Sequence, residues 1–144
     1  VSPTVMERAV LIDSAVVIYA LAPDDPRSAP CRSLLTEVMV GRGRGYASVE
    51  MIQEVVHHRM RRTADRRLAI ADGRDLMTGL MVLDFDREVL DLSLDLIARV
   101  PTIRGRDAVH AATALAYGID TIASPDHAFD GIPGLRRLDP LAAP

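Results

Sequence analysis

Asp13, Glu54, Asp107 and Asp126 each stand where an apolar run stops or a helical pattern begins. Asp13 follows the run A-V-L-I, Glu54 follows S-V-E-M-I-Q, Asp107 lies in R-D-A-V-H-A-A-T-A-L-A, and Asp126 follows I-D-T-I-A-S-P. In an α/β protein such boundaries line one edge of the sheet, where sites form. Carboxylates gathered at one edge repel each other and resist ionising unless a cation holds them. The pattern therefore predicts a divalent-metal site. Mg²⁺ takes oxygen ligands and keeps several waters, so two to four carboxylates suffice. Two such ions about 3.5–4 Å apart would clamp a phosphodiester and activate a water for in-line attack. This chemistry needs no Ser or Cys nucleophile. The chain contains no H-E-x-x-H, C-x-x-C, G-x-S-x-G or P-loop pattern.

Taken singly, each acid has a structural reading as well. Asp13 is placed to cap a helix, Asp107 suits the positive end of a helix dipole at about 0.3–1 kcal/mol, and Asp126 follows Pro125 in a turn. Glu50 lies one turn before Glu54 and shares its helix face, so either could be the inward acid. Ser14 and Ser124 stand at the same strand ends and would either orient a carboxylate or a metal-bound water, or cap. His110 reads as a packed histidine, Asp130 as a solvated turn, and His57, His58 and His127 share no ligand spacing. Arg59, Arg61 and Arg62, with Arg66 and Arg67, form either a solvated face or a contact for an RNA backbone.

The elements that must position these residues follow from periodicity. Residues 9–12 read as a strand buried on both faces, and Ser14 as the cap of a short helix over 15–21 ended by Pro23. A turn at 23–26 leads to a helix over 32–40 stopped by Gly41, then to a strand at 45–48. Apolar residues at 49, 52, 55, 56 and 60 mark an amphipathic helix over 49–62. A helix over 65–80 is expected to be weakened by Gly73 and broken near Gly79. A strand at 81–85, a helix at 87–99, an Ala-rich helix at 106–117 closed by Gly118, and strands at 119–123 and 135–138 complete the pattern. Strands separated by helices predict a parallel α/β sheet in one domain spanning residues 1–144.

Composition narrows the classes. Hydrophobic residues make up 49% of the 144, enough for a core, and with only five aromatics that core is aliphatic. The same scarcity argues against RNA recognition by base stacking. The net charge of −3 gives no global sign of a nucleic-acid binder, although all 17 basic residues are Arg, which suits bidentate phosphate contacts. Cys31 is alone, so no internal disulfide can form and a reducing cytoplasm is expected. Arg8, the following apolar run and A-L-A at 20–22 faintly mimic a secretory signal, but Asp13 interrupts it. No stretch reaches the roughly 18 apolar residues of a membrane span, so no membrane association is expected.

L-I-D-S-A, S-V-E-M-I-Q-E-V, R-D-A-V-H-A-A-T-A and S-P-D-H-A-F-D together resemble the ordered motifs of PIN-domain ribonucleases, most closely the VapC-type toxins of bacterial toxin–antitoxin pairs. No one motif is specific. Four in order, with acids 41, 53 and 19 residues apart, are. The resemblance implies a three-layer α/β/α sandwich around a short, mostly parallel sheet of four to five strands. It also implies a Mg²⁺- or Mn²⁺-dependent endoribonuclease whose metal-binding and catalytic quartet is Asp13, Glu54, Asp107 and Asp126. Glu54 is preferred to Glu50 because it lies six residues after Ser48, the family's usual spacing. Ala15 departs from the family, which often has Asn there. A homodimer and a small antitoxin whose tail lies over the acidic groove are further implied; the Val, Ile, Tyr and Met residues of 15–21 and 49–60 are expected to line that groove. The alternatives are an RNA-processing nuclease of the same fold without an antitoxin, and an inactive RNA- or partner-binding module. A haloacid-dehalogenase phosphatase is disfavoured, because its D-x-D nucleophile motif is absent at Asp13-Ser14-Ala15.

Overall fold

A computed structural model describes residues 8–40 and 44–142; Gly41 and the ends of the 1–144 span lie outside the described residues. The elements run β1 (Val10–Ile12), α1 (Ser14–Ala20), α2 (Ser28–Met39), β2 (Gly45–Ser48), α3 (Val49–Thr63), α4 (Arg66–Gly79), β3 (Met81–Leu83), α5 (Arg87–Arg99), α6 (Gly105–Ala116), β4 (Thr121–Ala123), a 3₁₀ turn (His127–Phe129) and β5 (Arg136–Leu138). The strands form one sheet in the order β3-β2-β1-β4-β5, and every neighbouring pair is parallel. Leu11 pairs with Tyr46 on one side and with Ile122 on the other, which makes β1 the central strand.

Alternation along the strands builds the two outer layers. Val10, Ile12, Ala47 and Ala123 point to one face, where Val16, Val17, Cys31, Val38, Met51, Val55 and Leu76 of α1–α4 cover them. Leu11 and Ile122 point to the other, beneath Val89, Leu96, Ala108, Ala111 and Ala112 of α5 and α6. The result is the three-layer sandwich, with an aliphatic core on each side of the sheet. All three residues of β1 are fully buried, as a continuous apolar run in a parallel sheet requires.

Several boundaries differ from those expected, each for a physical reason. α1 begins at Ser14, so Asp13 takes the cap position, yet its side chain makes no capping bond because it is engaged elsewhere. α2 begins at Ser28 rather than at residue 32, and Pro30 falls in its first turn, where the missing N–H costs nothing. α4 passes through Gly73 without interruption and ends at Gly79, where the break is expected. Gly73 lets α4 approach α3 closely: a Cβ there would lie 2.7 Å from Val56 Cγ2. β3 ends at Leu83, two residues early. Gly118, with φ +74°, turns the chain out of α6 into β4. On α5, Leu90, Leu94 and Ile97 remain exposed. No helix among the described residues is long and apolar enough to cross a membrane.

Candidate active site

β1 sits between β2 and β4, so successive connections leave it in opposite directions and open a crevice beyond the strand ends. Asp13 and Ser124 are the first residues past β1 and β4, and Ser48 closes β2. Asp13 is only 4% exposed. Its backbone N–H donates to the Ala123 carbonyl at 3.0 Å, and Ser124 Oγ donates to Asp13 Oδ2 at 2.8 Å. Ser124 Oγ in turn accepts from the Asp126 backbone N–H at 3.0 Å, which ties the two acid-bearing loops together.

Glu54 enters from the second turn of α3. Its Oε1 accepts from His110 Nε2 at 2.8 Å and its Oε2 from Ser14 Oγ at 3.2 Å. On the far side of the imidazole, His110 Nδ1 lies 2.9 Å from Ser48 Oγ, which also accepts from the Met51 N–H at the start of α3. His110 is 1% exposed and its Nε2 is 3.9 Å from Asp13 Oδ1. A carboxylate only accepts, so the Nε2 proton faces Glu54. One buried ring thus joins the end of β2, α3, α6 and the end of β1.

Asp107 stands half-buried in the first turn of α6, and Asp126 is exposed, its Oδ1 accepting from the Ala128 N–H at 2.9 Å. Burial, then the charges of Asp13, Asp126 and Glu54, push the Asp107 carboxyl up to about 6 against the opposing His110. Burial also raises Asp13, with Glu54 adding to it and His110 and the Ser124 hydrogen bond opposing. For Glu54 burial works upward as well, but the His110 hydrogen bond and charge, with help from Ser14 and Arg106, bring it below its ordinary value. Burial would lower His110; the Glu54 hydrogen bond and the charges of Asp13, Glu54 and Asp107 raise it instead. Asp107 thus feels the charges of the other three acids, and one buried imidazole partly compensates Asp13, Glu54 and Asp107.

Among the described residues, no three His, Cys, Asp or Glu side chains converge into a ready ion cage. The donor set still suits a hard divalent cation, because Mg²⁺ is held through one or two carboxylates, waters and substrate phosphates rather than by an all-protein cage. A stability prediction follows from Asp107. A carboxyl raised in the folded state favours folding below its unfolded value of 3.8, and that contribution is lost as pH rises through about 6. Without divalent ions, Asp107→Asn should therefore gain on the parent chain between pH 4 and 7. The gain should be on the order of 1 kcal/mol, discounted for partial exposure. Urea midpoints of both proteins in chelator, across that range, would show a constant difference if the carboxyl were unperturbed.

Sequence reading passed over Ser48 and His110 as partners of the acids. The available signal was the three-residue step from Asp107 to His110, which shares a helix face. Arg59 donates to Asp72 at 2.7 Å and joins α3 to α4, whereas Arg61 and Arg62 are exposed. Asp130 pairs with Arg137 at 2.7 Å and with His127 at 2.8 Å. Cys31 is fully buried and its thiol is pushed up to about 11 by that burial, which makes it unreactive.

Comparison with known proteins gives concordant matches. The PIN domain family profile matches residues 10–135. Ribonuclease VapC13 of Mycobacterium tuberculosis is 30% identical over 131 residues, covering 90% of this chain and 98% of that protein. Ribonuclease VapC7 of the same organism is 32% identical over 137 residues, covering 93% of each. Among solved structures, the DNA-bound VapBC of Salmonella typhimurium superposes with a TM-score of 0.73 at 17% identity, covering 92% of this chain and 98% of that one, which speaks to the fold.

Proposed function

This chain belongs to the PIN-domain family, and on that premise we propose that it is a metal-dependent endoribonuclease acting as the toxin of a toxin–antitoxin pair. One observation carries the reading: Asp13 and Glu54 meet at the buried His110 and Ser124 ties the Asp126 loop to Asp13, with Asp107 raised by burial and by the neighbouring acids. A cluster that destabilises its own charges is what a divalent cation relieves. The relatives named ribonuclease VapC support the nuclease chemistry, and the structural neighbours named as toxin–antitoxin complexes support a protein partner.

In this reading Asp13, Glu54, Asp107 and Asp126 hold Mg²⁺ or Mn²⁺. The bound ion supplies Lewis-acid stabilisation of the phosphoryl group and an acidified water. The chain's own part is preorganisation. Ser124 occupies Asp13 Oδ2 and leaves Oδ1 for the crevice. His110 and Ser14 hold both oxygens of Glu54 so that its carboxylate does not swing away. Asp107 and Asp126, less buried, face the incoming strand.

The partners follow as part of the same proposal. RNA is the substrate, a small antitoxin covers the acidic crevice along α1 and α3, and a cytoplasmic location suits both. A homodimer is supported by the apolar stripe Leu90, Leu94 and Ile97, which one copy leaves exposed at helical spacing on α5. Brief induction followed by sequencing of RNA 5′ ends tests activity and target together. New ends with the parent chain but not with Asp13→Asn, and growth restored by a small neighbouring reading frame, are expected. A harmless parent chain that cuts no RNA with Mg²⁺ or Mn²⁺ would overturn the assignment.

A further inference from the structure

A cavity of about 620 Å³ lies between the α1–α2 connection and the second half of α3, lined by Ile18, Leu21, Asp24, Arg27, His58 and Arg62 among others. It is registered to the acid centre. Ser14 meets Glu54 across the α1–α3 seam, and one turn further on each helix come Ile18 and His58. Glu54, His58 and Arg62 are spaced four residues apart, so they form one row along α3, each step about 6 Å.

The charges in the cavity are not all committed. Arg27 is spent on a bidentate pair with Asp25, at 2.9 and 2.7 Å, and lies over the Tyr19 ring. Arg59 is spent on Asp72. Arg62 has no ion pair among the described residues. His58 Nδ1 is buried without a partner. An unpaired buried N–H costs more than an unpaired ring lone pair, so the proton belongs on Nε2. Nε2 has no hydrogen bond among the described residues and is not sealed as Nδ1 is, which leaves it as an open donor. Burial, Arg62, Arg59 and Arg61 all disfavour a further proton on the ring, so the surroundings of His58 are positive. Asp24, an exposed carboxylate of the α1–α2 connection, also lines the cavity and opposes an anion there, so the donors are those of α3.

We propose that this cavity is a phosphate subsite for the RNA strand, with His58 Nε2–H and the Arg62 guanidinium as donors, one to two helical turns from the scissile position. The subsite reads backbone and not base, which fits a cavity edged by aliphatic side chains and charged donors. It rests on the endoribonuclease reading, so binding is measured without cleavage, on the Asp13→Asn chain. Against a short single-stranded RNA, His58→Gln and Arg62→Gln on that background should each weaken binding about three- to tenfold. Arg62→Gln should also flatten the salt dependence by about 0.7 in slope, while Arg99→Gln on α5 serves as a charge control and should change less. Without any substitution in the cavity, the RNA should move the His58 ring resonances. Unchanged binding in both cavity variants overturns the inference, as does an equal loss in Arg99→Gln. So does inorganic phosphate shifting the His58 ring when RNA does not, which would mark a free-anion site. If RNA binds through His58 but the parent chain cuts none, the subsite stands and the nuclease reading fails.

Discussion

Replacing Asp13 by Asn is expected to abolish RNA cleavage, by at least about a hundredfold, while the fold survives. Losing a ligand whose ion stabilises the phosphoryl group by several kcal/mol has an effect of that size. The fold survives because the amide keeps the shape of the carboxyl and can still accept from Ser124 Oγ, now held at 2.8 Å. Burial and Glu54 already make the Asp13 charge unfavourable, only partly offset by His110 and Ser124. The variant should therefore unfold at the same or a higher temperature than the parent chain when both are in chelator. Cleavage rates with Mg²⁺ or Mn²⁺, read beside thermal unfolding, check both halves. Wild-type cleavage by Asp13→Asn in the presence of chelator would remove metal chemistry from this site.

Glu54→Gln is expected to lose activity to a similar extent, while Glu50→Gln keeps most of it. The two acids lie one turn apart on α3, and helix geometry alone does not separate them. Their partners do. Glu54 is bound by His110 at 2.8 Å and by Ser14 at 3.2 Å, at the mouth of the crevice. Glu50 occupies the first turn, where its charge serves the helix dipole at about 0.3–1 kcal/mol. Gln at 54 can still accept from His110 and donate to Ser14, so the substitution removes charge with little change in shape. Steady-state cleavage by both variants decides the register. Loss in Glu50→Gln with activity retained in Glu54→Gln would place the inward acid one turn earlier.

What the chain alone determined is local. The apolar run before Asp13 makes a buried strand because its neighbours on both sides of the sheet are covered by helices. The Ala-rich segment of α6 is a helix by propensity, and its small side chains let it lie close to the sheet. The placing of Asp13, Asp107 and Asp126 at element boundaries was legible for the same reason, since periodicity marks where elements stop, whereas Glu54 lies inside α3, in its second turn. Tertiary structure decided everything that depends on partners far apart in sequence. Gly73 reads as a weak point in α4, and the helix continues because α3 packs against the space a Cβ would fill. Asp13 reads as a metal ligand or a helix cap, and only the fold shows that its Oδ2 accepts from Ser124, 111 residues away. His110 reads as ordinary packing, and it links Ser48 and Glu54, 62 and 56 residues distant. Arg59 reads as a free cation, and it is closed on Asp72 of the next helix. Hydrophobic pattern is written residue by residue, because burial depends on which face of an element a side chain occupies. A buried polar group is satisfied only by whichever donor or acceptor the folded chain brings to it, and no local spacing encodes that choice.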